Sequence, residues 1–230
     1  MEYILYGILK AAELIATLDT EVFSIALFSL QISATATVCA SLAGIPLGFL
    51  IETQDFWGRR GTITLFNTLM ALPTVVVGLL VYSFTSRQGP LGPLQLLFTP
   101  KAMVLGQFIL ATPIIVALTI SATHAVDPRV KLTAMTLGAG RVYTALTILA
   151  EARFALMAAV IAGFGRVIAE VGCAIMVGGN IRGYTRTMTT AIALETAKGE
   201  FGFSLALGFI LLAVAFLVNI FFHYLQSRRD

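Results

Sequence analysis

Charge is scarce in this sequence. Only 12% of the 230 residues are Asp, Glu, Lys or Arg, where an average globular chain has about 25%. Hydrophobic residues reach 58%, and mean hydropathy is +0.91. Such a chain cannot cover its surface with polar groups in water, which excludes a soluble enzyme, a disordered tail and a disulfide scaffold. The only cysteines, Cys39 and Cys173, lie in apolar surroundings and read as small packed hydrophobes. His124 and His223 stand far apart, without Cys or carboxylate at ligand spacing, so no metal site is expected. No basic run occurs and net charge is +3, so no nucleic-acid partner is expected. The four lysines follow Leu9, Pro100, Val130 and Ala197; no Gly-Lys pair exists to cradle a phosphate. Any ATP chemistry belongs to another subunit. No Ser or Cys has a triad-like context, so no catalytic residue is expected.

What is present is a series of long apolar stretches. A helix needs about 20 such residues to cross a bilayer. Five spans are expected, at 22–51, 61–86, 102–124, 154–179 and 201–226, within a membrane domain over 22–227. The fold class is therefore an all-α integral membrane protein. The first stretch starts late and acidic residues precede it, unlike a cleaved signal peptide. In the opening segment 1–21, Leu5, Ile8, Leu9, Ala12 and Ile15 fall at helical spacing, as in an amphipathic interfacial helix.

An odd number of spans puts the termini on opposite sides. With the N-terminus outside, the inner set is Arg59, Arg60, Arg129, Lys131, Arg141, Arg153, Arg228 and Arg229. The outer set is Lys10, Arg87, Lys101, Arg182, Arg186 and Lys198. Arg59–Arg60 and Arg228–Arg229 sit directly at span ends, which favours N-out, C-in.

Polar and small residues interrupt the spans. Ser29, Gln31, Ser33, Thr35, Thr37 and Ser41 stand in the first, and Pro46, Pro73 and Pro113 break the first three. They suit a packed bundle around a pathway, or ordinary interhelical hydrogen bonding. In the fourth, Ala155, Ala158, Ala162, Gly165, Ala169 and Gly172 recur at steps of three and four. Such a stripe fits a dimer interface or packing within one protomer. Arg166 and Glu170 fall in this same span at i, i+4. Ionisable groups there face a bundle interior or a cavity. Arg166 either lines an anion pathway with Glu170 orienting it or closing a gate, or the two form a neutralising salt bridge. The outer segment from Asn180 carries Arg182, Thr185, Arg186 and Thr187. Guanidinium and hydroxyl donors suit a tetrahedral dianion. The same residues equally suit docking of an acidic rim on a binding protein, or interfacial anchoring.

The inner loop 127–150 is large. Asp127-Pro128 is an N-cap followed by Pro at the first helical position. A helix to about Leu137 is expected, then a break at Gly138-Ala139-Gly140, then a second helix from Arg141.

The stretch Leu132–Gly140, LTAMTLGAG, resembles the cytoplasmic coupling loop of type-1 ABC importer permeases. Thr133, Ala134, Thr136, Leu137 and Gly138 match that family's pattern. Leu132 stands where the family commonly has Glu, and no proline follows Pro128. The region Phe164–Thr190, with Arg-x-x-x-Glu and then NIRGYTRT, is similar to the molybdate and tungstate members. Gly178–Phe201 looks most like the tungstate type. The resemblance implies a type-1 importer transmembrane domain in a prokaryotic inner membrane. It implies a homodimeric pathway, two ATP-binding cassette subunits that hold ATP and Mg, and an extracytoplasmic oxyanion-binding protein. Leu137, Gly138 and Tyr143, with Thr133, Ala134, Thr136 and Arg141 around them, would then contact the ATPase. Tungstate is the expected cargo, with molybdate or another oxyanion as the alternative. A gradient-driven secondary transporter would usually show internal repeats and more midplane carboxylates. A non-transporting scaffold would show no substrate-stimulated ATPase activity.

Overall fold

The helix that organises the molecule is α5 (Pro100–His124). In its apolar window 67% of residues are buried, against 33% in α2 (Thr20–Thr53) and 17% in α11 (Phe201–Ser227). A computed structural model describes the backbone of residues 2–227 and the side chains of 5–221 and 224. Arg228, Arg229 and the His223 side chain lie outside the described residues. Before α2 comes α1 (Glu2–Ala16). Between α2 and α5 lie α3 (Arg59–Leu69), α4 (Thr74–Thr85) and a single 3-10 turn at Gly92–Leu94. After α5 follow α6 (Pro128–Thr136), α7 (Arg141–Glu151), α8 (Arg153–Ile168), α9 (Gly172–Gly178) and α10 (Met188–Lys198). Among the described residues every regular element is a helix, and there is no strand.

Small residues let the backbones close on α5, as expected where lipid gives no hydrophobic drive between helices. On α2, an added Cβ at Gly44 would come within 3.1 Å of Ile115, and one at Gly48 within 2.7 Å of the Val116 carbonyl. Gly163 of α8 faces Ile115, and Gly106 of α5 itself receives the Sγ of Cys173 from α9. Around these contacts lies the largest buried apolar cluster, including Ala40, Val77, Leu110, Ile115, Val167 and Val177.

Three helices, α2, α5 and α11, are long and apolar enough to cross a membrane singly. Two stretches expected as single spans are instead each two helices. Stretch 61–86 is α3 and α4, at 100° to each other. The cause is Pro73: it carries no N–H and pushes Leu72 off helical geometry. Stretch 154–179 is α8 and α9, broken at Ala169–Val171, while α7 meets α8 at 68°. Each bent pair recognised by composition, α3–α4 and α7–α8, can serve as one span, giving up to five.

In the opening segment α1 does not lie alone; it packs along α11. The packed face is Gly7, Ala11 and Leu14. The apolar positions Leu5, Ile8, Leu9 and Ala12 point outward instead.

Candidate functional site

The loop 127–150 folds into two helices and an open cleft. Asp127 caps α6, its Oδ1 accepting from the Arg129 N–H at 2.8 Å. Gly138 then turns with φ 83°, the left-handed region that favours glycine. The cleft, about 660 Å³, is lined by Val130, Thr133, Ala134, Leu137, Gly138 and Tyr143, among others. Leu137 is 82% exposed and Tyr143 72%. Thr136 and Arg141 are exposed beside them; Ala134 is buried at the floor. Two large apolar side chains are thus displayed together beyond the spans, an exposed pair of the kind that marks interaction sites.

Glu170 does not share a helix with Arg166. It lies past the end of α8, in the break before α9. The pair still forms, Arg166 Nη1 donating to Glu170 Oε2 at 3.3 Å. Glu170 is buried, and its other oxygen accepts from the Cys173 N–H at 2.9 Å, capping α9. Its carbonyl accepts from Thr189 Oγ1 at 2.6 Å. Glu170 therefore ties α8, α9 and α10 together. Arg166 is half-buried, and its remaining donors find no partner among the described residues. Around it Ala162, Gly165 and Ala169 are exposed, as are Ala155 and Ala158. An added Cβ at Gly165 would meet nothing within 4 Å. Of the small-residue stripe only Gly172 is half-buried, so packing within one protomer does not account for it.

The segment from Asn180 folds into a knot rather than an open row of donors. Thr187 and Thr190 form a capping box at the start of α10, a helix the sequence signals through Thr-x-x-Thr and the trailing Gly199. Thr185 is buried; its hydroxyl donates to the Gly178 carbonyl and accepts from the Ile181 N–H. Asn180 Oδ1 accepts from Thr190 Oγ1 at 2.9 Å. The Met188 N–H donates to Ser29 Oγ at 2.7 Å, fixing the knot to α2. The threonine hydroxyls are thus spent on the fold and are not free for a dianion. Arg182 makes a two-pronged pair with Glu21, and that hydrogen bonding, with Glu21's charge, raises the Arg182 guanidinium above its ordinary value. Arg186, about nine-tenths buried, donates to Glu195 at 3.3 Å, and Lys198 reaches the same carboxylate at 3.0 Å. A cleft of about 520 Å³ opens between Glu21, Phe28, Arg182 and Arg186.

One polar cluster escaped the spacing argument. Glu52 pairs with Arg59 at 2.6 Å and with His124 at 2.8 Å. His124 is thus partnered, by a carboxylate 72 positions away that spacing could not connect to it.

Residues 44–230 match the family of binding-protein-dependent transport system inner membrane components. The chain belongs to this family. The permease is 38% identical to the tungstate uptake system permease protein TupB of Peptoclostridium acidaminophilum, over 99% of this chain and 100% of that one. It is 41% identical to TupB of Campylobacter jejuni, over 98% of this chain and 95% of that one. Its fold is that of the methionine ABC transporter MetNI solved in inward-facing conformations. The TM-score is 0.72 at 14% identity, covering 91% of this chain and 96% of that one. The permease is an inner membrane protein of the ABC importer class, with the exposed cleft of α6 and α7 at the place the coupling-loop resemblance assigned to ATPase contact.

Proposed function

We propose that this chain is the permease subunit of an ATP-driven tungstate importer. Its near-full-length identity to two tungstate permeases carries the reading. Two copies form the pathway, with two ATP-binding cassette subunits inside and an oxyanion-binding protein outside. Each copy crosses five times, counting α3–α4 and α7–α8–α9 as one bent crossing each, with the N-terminus out and the C-terminus in. The basic residues at span ends and in α6–α7 support that orientation.

ATP and Mg reside on the partner ATPase, which binds one conformation of the bundle better than the other and so shifts its equilibrium. The α6–α7 cleft receives the ATPase through Leu137 and Tyr143. Arg166, with donors to spare beside a smooth small-residue face, offers a positive waypoint to the dianion. Glu170 holds it in place and closes the α8–α9 break. Arg182 and Arg186, already paired, serve the outer face through a charge-balanced surface for the binding protein.

Reconstitution with the ATPase, the binding protein and labelled tungstate tests this. ATP-dependent uptake, outcompeting molybdate, is the expected result. Uptake driven by an ion gradient without ATP would establish a secondary transporter, and equal preference for molybdate would overturn the cargo.

A further inference from the structure

The inner ends of α2, α3 and α5 meet at one carboxylate. Glu52 is about nine-tenths buried and receives two donors from other helices. Arg59, at the start of α3, donates from Nη2 to Glu52 Oε2 at 2.6 Å. It also donates from Nε to the Ile51 carbonyl at 2.9 Å and from Nη2 to the Glu52 carbonyl at 3.0 Å, capping the last turn of α2. His124, the last residue of α5, donates from Nδ1 to Glu52 Oε1 at 2.8 Å, since an ionised carboxylate only accepts. Alongside them Ile51, Val116 and Ile120 pack with Ile63 and Phe66, so the same three helices share an apolar cluster.

The position of this carboxylate gives it a mechanical role. His124 stands three residues before Asp127, the cap of α6. Along the chain, any displacement of α6 by a docked ATPase reaches α5 at His124. Apolar side chains in contact resist sliding weakly, because dispersion has little direction. A short, directional bond from the His124 ring to a buried carboxylate, itself held by a guanidinium, resists it more. We propose that Glu52 is a positioning residue for ATP-driven transport, a latch that carries the motion of α6 from α5 into α2 and α3. This inference rests on the coupling role proposed above.

The test uses the complete complex in proteoliposomes and reads tungstate imported per ATP hydrolysed, with Glu52→Gln, His124→Leu and His124→Gln. A latch predicts that Glu52→Gln and His124→Leu keep ATPase assembly and hydrolysis within about twofold while the transport-to-hydrolysis ratio falls about tenfold. His124→Gln, which keeps a donor, restores most of the ratio. If either damaged variant keeps the wild-type ratio, or transport and hydrolysis fall in parallel, the latch is overturned. Should Glu52→Gln fail to assemble, His124→Leu decides alone, because the imidazole is 79% exposed and its loss leaves no internal void. A wild-type complex without ATP-dependent uptake would instead sink the transport reading itself.

Discussion

Glu170 is the residue whose environment most constrains its chemistry. A carboxylate removed from water is costly unless paired and hydrogen-bonded, and here Arg166 and the Cys173 N–H supply both needs. Glu170→Ala would leave the Cys173 N–H at the start of α9 unpaired and a half-exposed Arg166 without its counter-charge, a loss of about 1–3 kcal/mol, chiefly from the orphaned donor. Thermal unfolding in detergent should register it. Arg166→Gln leaves the buried Glu170 without its counter-charge, so it should cost comparable stability while lowering tungstate uptake more. Equal loss of uptake from both substitutions would make the pair purely structural. The arginine was legible in the sequence as a charge inside a span, but its partner's place in a helix break was not. Likewise Arg182 and Arg186 read as free donors, because Glu21 lies 161 positions from Arg182 and only the fold brings them together.

At the scale of the helix, the readable elements were those with uninterrupted composition. Long apolar runs mark α2, α5 and α11, and Asp127-Pro128 and Gly138 mark the ends of α6. The bends were hidden, since hydropathy reports how apolar a stretch is and nothing of its direction. The α3–α4 pair has the composition of a straight span, and only Pro73 hinted at the turn. Close packing gives a test at this scale. Gly48→Leu places a side chain against the Val116 carbonyl, 2.7 Å from the new Cβ, and against Thr119. Backbone cannot yield as a flexible side chain does, so α2 and α5 must separate. Overpacking typically costs 1–3 kcal/mol and backbone clash more, so a drop in folded yield and unfolding temperature is expected. An unchanged melting curve would disprove this contact. Gly138 should behave differently. Its φ of 83° disfavours any side chain, yet an added Cβ meets nothing within 4 Å. Gly138→Asp is expected to leave the membrane bundle folded while uncoupling hydrolysis from transport in the reconstituted complex. Normal transport by that variant would remove α6–α7 from the coupling role.

For the whole molecule, the exposed faces divide by side-chain size, and that division points to the pathway. On α11 most exposed residues are bulky, among them Phe209, Leu212, Phe216, Leu217, Ile220 and Phe221, with Ala213 and Asn219 between them. The bulky side chains are suited to lipid tails. On α8, past Arg153 at its start, the exposed residues are Ala155, Ala158, Ala162 and Gly165, with Ala169 just beyond its end, beside the half-buried Arg166. Lipid would gain little from so small a face and would penalise the arginine. A second copy or a water-filled cavity would accept both. Single cysteines in a background without Cys39 and Cys173 should therefore separate the faces. Cysteine at Ala162 or Gly165 should react with a membrane-impermeant maleimide or cross-link to the partner copy. Cysteine at Leu212 should do neither, because lipid excludes the reagent. Cysteine at Gly163 is the control on the same helix, since Ile115 lies 2.9 Å from its added Cβ and shuts the reagent out. Protection of Ala162 and Gly165 equal to that of Leu212 would place α8 against lipid and move the pathway to another face of the protomer.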